Sequence, residues 1–262
     1  MEGTADGREI VSCDVILSLG TNCEISYNLR AFYGAGPAGL LDWMITPLSA
    51  LPGLIESGFC LVGPDFADEL ECLALGGGDS IMHRPTGILL HHAFPRDADE
   101  RVVANWRDSV PQVISKYGFL GARMHRLLEG AEKPGLFLNR SGLHDAMSAA
   151  VRSETESSII YARIFDALSA RYPHADIHPV IVNGAEEAVA RVAHVPNLRV
   201  CVTENLGHWH EGIEGHFAGC ATGWNRALSS LRLVHRFQPE EAPQGAPVAG
   251  RVPAENGSPS PA

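Results

Sequence analysis

Short runs of continuously apolar residues recur along the chain and predict buried strands. The clearest of these runs lie at 15–19, 135–138, 179–182 and 198–202. Each is followed by polar residues or glycine and, in most cases, by a stretch with helical periodicity. Strands that are apolar on both faces and alternate with helices are typical of a parallel sheet covered on both sides. The pattern predicts an α/β fold: a single three-layer domain with a mostly parallel sheet.

Apolar residues at helical spacing predict the helices. In 154–172 they recur every three or four positions, and Pro173 ends the pattern. The region 69–94 instead has shorter apolar stretches around the glycine turn 76–79, which indicates a small β insertion or an edge hairpin. The predicted helices are 22–32, 48–57, 100–117, 119–131, 154–172, 185–193 and 222–233.

Composition separates a folded centre from two polar ends. Residues 1–12 are mostly polar and predict a flexible arm. The segment 238–262 contains six prolines and three glycines but hardly any large apolar side chain. Burial in such a segment cannot offset the entropy lost on ordering. We therefore expect a disordered tail over 238–262 and a folded α/β domain over 13–237.

Overall composition and charge restrict the classes of function. The chain has 262 residues, of which 45% are hydrophobic, enough for a sizeable core. Its 31 acidic residues against 20 Lys and Arg give a net charge of −11, which excludes a generally basic nucleic-acid surface. No apolar run approaches the ~20 residues that span a bilayer, and no secretory signal opens the chain. We expect a cytoplasmic protein that binds neither nucleic acid nor membranes; the sequence indicates no oligomeric state.

The turn around Cys23 is the most informative segment for chemistry. A predicted strand leads into Gly20, and Thr21 and Asn22 are both residues that begin helices well. Cys23 then lies in the first turn of a helix, at the strand edge where α/β sheets bind ligands. The helix dipole and free N–H groups there favour a thiolate and can receive an oxyanion. Cys23 is therefore a candidate nucleophile; the alternative is a small buried residue at a helix start.

Three blocks of the chain resemble the bacterial papain-like cysteine peptidase family. The resemblance covers most of 14–140 and fades afterwards. The second block, 87–94, contains a histidine pair, and the third, 133–140, is a strand that ends in an arginine. The first block comprises Ser-Leu-Gly-Thr-Asn-Cys (18–23), Tyr-Asn-Leu-Arg (27–30) and Gly-Leu-Leu-Asp-Trp (39–43).

The resemblance implies a thiol hydrolase in which Cys23 attacks an acyl or amide carbonyl and His92 acts as its base. It also matches Asp42 to the family's Asp-Trp pair. Ala93 departs from the pattern, because the family usually has aspartate beside the histidine. The implied substrate is a small-molecule or peptide-like acyl compound. Two alternatives stay open: an acyltransferase that uses the same cysteine, and a non-catalytic small-molecule or carbohydrate-binding module.

Several other polar residues are candidates with more than one interpretation. If His91 and His92 end a strand, their side chains point to opposite faces, so only one of them reaches Cys23. Asp42 either orients the histidine as a third catalytic residue, caps a helix, or pairs with Arg140. Arg140 and Asn183 follow strands at the expected ligand edge, and each is a candidate for binding substrate or for a structural contact.

The histidine-rich segment 204–216 is the main candidate for a metal site. It contains the possible ligands His208, His210, Glu214 and His216, but neither a CxxC nor an HExxH motif supports metal binding. We favour a loop over the active site, with Trp209 and Trp224 as its apolar wall. Phosphate-loop and dinucleotide-binding signatures are also missing, so the sequence predicts no cofactor and no metal.

Overall fold

The structure is a computed structural model, and it describes residues 10–20, 23–34, 38–75, 78–139, 154–203 and 221–234. The tail predicted over 238–262 and most of the arm predicted over 1–12 lie outside these residues. The strands are β1 (Val11–Cys13), β2 (Val15–Ser18), β3 (Leu70–Leu75), β4 (Gly78–His83), β5 (Ile88–Leu89), β6 (Pro134–Asn139), β7 (His178–Val182), β8 (Arg199–Cys201) and β9 (Leu231–Leu233). The helices are α1 (Cys23–Tyr33), α2 (Leu51–Glu56), α3 (Val110–Gly130), α4 (Glu154–Arg171), α5 (Glu186–Arg191) and α6 (Ala221–Leu228), with 3-10 turns at Leu48–Ala50 and Trp106–Ser109.

Parallel strands form the centre of this α/β fold, as the apolar runs predict. Strands β2, β6, β7 and β8 pair in that order, all in parallel. β1 is separated from β2 by Asp14 alone and pairs in parallel with β9. Asp14 joins the two pairings, because its carboxylate accepts the backbone N–H groups of Glu132 and Lys133 just before β6.

Two hydrophobic clusters use alternate residues of the same strands. Leu136 and Leu138 of β6 belong to the larger cluster, which includes side chains of α2, α3, α4 and α5. Phe137 between them belongs to the smaller cluster, which includes Ile25 of α1 and Trp224 of α6. Because successive side chains of a strand point to opposite faces, helices cover both faces of the sheet.

The middle of the chain contains the expected β insertion. Strands β3, β4 and β5 form a separate antiparallel sheet. Ile45 pairs with Leu89 of β5 through two backbone hydrogen bonds, so the segment 39–46 that follows α1 is tied to this sheet.

Several predicted boundaries differ from the structure. The helices expected at 100–117 and 119–131 form one helix, α3, which begins at Val110 rather than at 100. The exposed Gly118 inside α3 is tolerated because such a glycine costs only ~1 kcal/mol. The helix expected over 222–233 ends at Leu228, and β9 follows it. Val11 and Ser12, which the sequence places in the arm, lie in β1. The short strands β1 and β9 are stabilised by pairing with each other. The residue pattern within either segment does not reveal this pairing.

None of the described helices combines the length and the apolar character needed to cross a membrane.

Candidate active site

Cys23 lies where the sequence places it. β2 ends at Ser18, and α1 begins at Cys23, so the thiol is at the carboxyl end of a parallel strand. Gly20 between them has a φ of +83°, a conformation that favours glycine, and its N–H donates to Ser18 Oγ over 3.1 Å. The neighbouring candidate Asn22, like Thr21, lies outside the described residues.

The turn before Cys23 packs closely against the segment 39–46. A Cβ on Gly20 would lie 3.1 Å from Thr46 Cβ and 3.3 Å from Thr46 Oγ1. Thr46 is fully buried, and its hydroxyl has no hydrogen-bond partner among the described residues. The turn before Cys23 thus packs on a buried polar side chain.

The electrostatic surroundings of Cys23 oppose the expected thiolate. Burial raises the pKa of the thiol to about 11; a backbone hydrogen bond at Cys23 itself lowers it, and the neighbouring Glu24 carboxylate raises it further. The Glu24 carboxylate in turn accepts the indole N–H of Trp224 over 2.7 Å, which ties α1 to α6. The resting side chain is therefore a thiol at neutral pH, and loss of its proton requires a base.

Asp42 pairs with an arginine that the sequence analysis did not consider. Its Oδ2 accepts from Arg30 Nη2 at 3.1 Å and from the Gly39 N–H at 2.8 Å. Burial raises the pKa of the carboxyl, while the Gly39 N–H, Arg30 and the Ser26 hydroxyl lower it. The contacts of Asp42 thus join the segment 39–46 to α1, and no hydrogen bond to a described histidine is among them.

An exposed aromatic ring connects this ion pair to the histidines. The Arg30 guanidinium lies 5.8 Å from the centroid of the Trp43 ring. The Trp43 ring in turn meets the His92 ring edge-on, with centroids 6.2 Å apart. Trp43 is 37% exposed. The candidate residues Asp42 and His92 therefore lie on either side of Trp43 and Arg30.

The prediction that His91 and His92 point to opposite faces of a strand is wrong. β5 ends at Leu89, and residues 91–94 form a turn. The two rings meet edge-on with centroids 4.8 Å apart. The alternation rule fails here because it applies to extended backbone only.

Neither histidine contacts the thiol in this structure. Among the described residues, no hydrogen bond joins Cys23 Sγ to a histidine. The pKa of His92 is lowered by desolvation, Arg96 and Lys116 and raised by Glu100; Cys23 does not contribute. Arg30, which leads to His92 through Trp43, lies seven residues after Cys23, or about 10 Å along α1. The described contacts thus connect Cys23 to His92 only indirectly, through α1, Arg30 and Trp43.

Asn183 makes structural contacts at the same edge of the sheet. Its Nδ2 donates to Thr203 Oγ1 and its Oδ1 accepts the Thr203 N–H, both over 2.7 Å. Its φ of +55° belongs to the left-handed region, where asparagine is more common than most residues. Asn183 therefore fastens the end of β7 to Thr203 after β8, and its described contacts are structural.

The other predicted site residues lie outside the described part of the chain: Arg140, Trp209, and the possible metal ligands His208, His210, Glu214 and His216. Within the described ranges, no group of three or more His, Cys, Asp or Glu side chains is arranged to hold a metal ion.

Sequence reasoning missed the roles of Arg30, Arg96 and Lys116. Arg30 had a usable signal, because it lies two turns from Cys23 on the same predicted helix. No signal in the sequence pointed to Arg96 or Lys116, since the turn after β5 and the helix α3 come together only in the folded chain.

Comparison with known proteins returns no match: no family model, no curated protein and no solved structure is significantly similar to the chain.

Proposed function

We propose that the chain is a cysteine-dependent enzyme of the papain-like cysteine peptidase type, a hydrolase or acyltransferase built on a single three-layer α/β domain. The position of Cys23 carries this proposal. It is the first residue of α1, and a short turn separates it from the parallel strand β2. The N–H groups of a helix start at this place could stabilise an oxyanion. Helices on both faces of the sheet support the three-layer arrangement.

The protonation states of the two residues suit a thiol and a base. The raised pKa keeps Cys23 as a thiol, and the lowered pKa of His92 keeps its imidazole neutral at pH 7, able to accept a proton. As Sγ bonds to the acyl carbon, the thiol proton passes to His92 and then to the leaving amine or alkoxide. Water, or another acceptor, then cleaves the thioester and restores the thiol. The 91–96 turn must approach α1 for this transfer, because the two groups are not in contact in the free protein.

The substrate class follows from the thiol chemistry alone. A cysteine nucleophile acts on amides, esters and thioesters, so we propose a small-molecule or peptide-like acyl substrate. Release to water makes the enzyme a hydrolase and release to an amine or hydroxyl makes it an acyltransferase. We place this activity in the cytoplasm, where thiols stay reduced.

A non-catalytic binding module is the second candidate. The lack of a hydrogen bond between Cys23 and a described histidine favours it, because a thiol with a raised pKa and no base in contact is a weak nucleophile. On this alternative, Cys23 is a small, half-buried residue at the start of α1, and the exposed Trp43 is part of a binding surface.

One experiment separates the two candidates. The protein is incubated with p-nitrophenyl acetate across the range from pH 6 to 10, and acetylation of each cysteine is followed by peptide mapping. For an enzyme we expect Cys23 to be acetylated at pH 7 faster than the exposed Cys60, although burial raises the pKa of Cys23, because His92 accepts its proton. His92→Ala then removes the excess rate at neutral pH, and Cys60→Ser leaves the Cys23 rate unchanged.

The binding module predicts a different profile. The rate at Cys23 then rises without a plateau toward its pKa of about 11, stays below that of Cys60 at pH 7, and is unaffected by His92→Ala. That result would exclude thiol catalysis through this histidine.

A further inference from the structure

A half-open cavity of about 170 Å³ lies between the end of α4, the start of β7 and the turn before β8. Its floor is apolar and buried, and it is formed by Phe165, Leu168 and Pro179. Asp176 and Asn197 lie at its exposed rim. An apolar interior with a few polar groups at the opening is the usual form of a site for a small organic molecule.

This cavity and Cys23 lie at opposite edges of the sheet. Strands β2 and β7 both run parallel to β6. The cavity is lined by residues that precede and begin β7, whereas Cys23 follows the carboxyl end of β2. A ligand in the cavity therefore does not occupy the candidate active site.

The volume of the cavity limits the size of the ligand. A cavity of about 150 Å³ that is lined by aliphatic and aromatic side chains accepts benzene. Phe165 is 5% and Leu168 1% exposed, so both belong to the packed core and present a fixed apolar surface. Transfer of an apolar group from water onto such a surface is favourable. The interior thus suits one six-membered ring or a branched alkyl group of similar volume.

The two polar side chains at the rim are held in place by hydrogen bonds. Asn197 Nδ2 donates to Asp176 Oδ1 over 2.7 Å, and the Asp176 N–H donates to the carbonyl oxygen of Glu132 over 2.7 Å. Since the amide N–H group of Asn197 is turned toward the carboxylate, its Oδ1 is an acceptor like the carboxylate itself. The rim therefore presents acceptors to a ligand.

The charge of Asp176 is not balanced by a cation in contact with it. Among the described residues, His178 is the basic side chain within 4.0 Å of the carboxylate, with Nε2 3.3 Å from Oδ2. Desolvation lowers the pKa of His178, Asp176 raises it, and Arg199 and Lys133 lower it. The ring is therefore neutral at pH 7 and leaves the carboxylate with its negative charge.

The two permanent cations at this end of the sheet do not pair with Asp176. Neither the guanidinium of Arg199 nor the ammonium of Lys133 has a nitrogen within 4.0 Å of the carboxylate. Arg199 is in register with Val180, whereas the cavity is lined by the preceding Pro179. Because successive side chains of a strand point to opposite faces, the Arg199 side chain belongs to the face of the sheet away from the cavity.

We propose that this cavity binds a small organic monocation, with an aromatic or branched alkyl body against Phe165 and Leu168 and an ammonium group at Asp176 and Asn197. An ammonium group has three N–H donors and no acceptor, which matches a carboxylate beside an amide oxygen. An anionic ligand of the same size meets like charge at the rim. The net charge of −11 also favours cations over anions. The site extends beyond the function proposed above.

Titration of the full chain with benzylammonium tests the site. Binding is measured calorimetrically at pH 7 and constant ionic strength, with benzyl alcohol as the neutral analogue and benzoate as the anionic one. We expect saturable binding in which benzylammonium is bound most tightly and benzoate least. Asp176→Asn keeps an acceptor for Asn197 but removes the charge. It should weaken benzylammonium about threefold to fivefold, as for a half-exposed ion pair, and leave benzyl alcohol unchanged.

Two further variants test charge and shape separately. Glu71→Gln removes an exposed carboxylate on β3 and changes the net charge by the same amount, so it should leave every dissociation constant unchanged. Ala175→Leu places a larger side chain in the wall of the cavity. It should weaken benzylammonium and benzyl alcohol alike by about tenfold or more, since the space for the ring is lost.

Three results would overturn the proposal. The first is the absence of saturable benzylammonium binding up to about 10 mM, since a ligand of this size that fills an apolar cavity binds more tightly. The second is an unchanged preference for benzylammonium over benzyl alcohol in Asp176→Asn, with the variant folded as judged by circular dichroism. The third is a loss of binding in Cys23→Ser, which would assign the ligand to the thiol site. Failure of thiol catalysis alone leaves all three measurements unaffected.

Discussion

Arg30 and Asp42 form an ion pair, with Nη2 3.1 Å from Oδ2, that fastens the segment after α1 to the helix that begins at Cys23. Asp42 is almost completely buried, whereas the Arg30 side chain is 32% exposed. Loss of the arginine would therefore cost more free energy of unfolding than loss of the carboxylate, since an unpaired charge on the buried Asp42 is costly.

Arg30→Ala should lower the free energy of unfolding by about 1–3 kcal/mol at neutral pH. The pKa of Asp42 is already raised by burial, and loss of the guanidinium raises it further. As pH falls through this raised pKa the carboxyl takes up its proton in the folded state, so the loss should shrink. Urea unfolding at about pH 8 and about pH 5 measures this. Arg163→Ala, which removes an exposed arginine on α4, is the control; a loss for Arg30→Ala that does not depend on pH would contradict the prediction.

Gly121→Ala should destabilise the protein by about 3 kcal/mol, because the new Cβ would overlap the backbone carbonyl oxygen of Phe59. Gly118→Ala is a matched control in the same helix, since a Cβ there meets nothing within 4 Å. It should stabilise by up to ~1 kcal/mol, the usual gain of alanine over glycine in a helix. Thermal unfolding of both variants checks the pair, and a similar change in melting temperature for the two would show that α3 does not pack on Phe59 in this way.

His91→Gln should flatten the acid limb of the stability curve. The folded pKa of His91 is about 4, against an ordinary value of 6.5, so the unfolded state binds the proton first. Stability is then lost as pH falls from about 6.5 to about 4, by up to ~3 kcal/mol. Glutamine keeps an acceptor for Arg96 but takes up no proton. Unfolding followed across this range tests it, with the exposed His174→Gln as control; parallel curves for His91→Gln and the original protein would disprove the assignment.

Asn183→Ala should cost about 2 kcal/mol or more, because two hydrogen bonds to Thr203 are lost at a residue with positive φ. Thr203→Val removes only the hydroxyl acceptor and should cost less. Chemical denaturation of both variants gives the comparison. If Asn183→Ala lowers activity on an acyl substrate without any change in stability, the residue belongs to the substrate site instead.

The regular part of the fold was accessible from the sequence, because the evidence for it is local. The apolar runs before and after α4 predicted β6 and β7 to within a residue or two, and Pro173 marked where α4 ends. β1 and β9 were not accessible. Each has three residues, and the hydrogen bonds that define them join opposite ends of the chain.

The candidate site also has one part that the local sequence predicts and another that depends on the folded chain. Cys23 could be placed from the residues around it, since a strand, a glycine turn and a helix start are all local features. The pKa of its thiol could not, because burial comes from distant parts of the chain and outweighs the backbone hydrogen bond at the helix start. The relation of His92 to Cys23 also escaped the sequence, because residues 91–94 form a turn and the strand rule does not apply there.

The pairing of Val11 with Leu231 sets an order for folding during biosynthesis. Strands β2, β6, β7 and β8 each meet their neighbour as the ribosome delivers them, so this part of the sheet can assemble vectorially. β1 is synthesised first but cannot pair until β9 has been synthesised. The hydrogen bonds from the Tyr33 hydroxyl to the carbonyl groups of Leu228 and Leu231 also form only then. Until then, the face of the nascent sheet that Trp224 later covers is open to chaperones and to other chains.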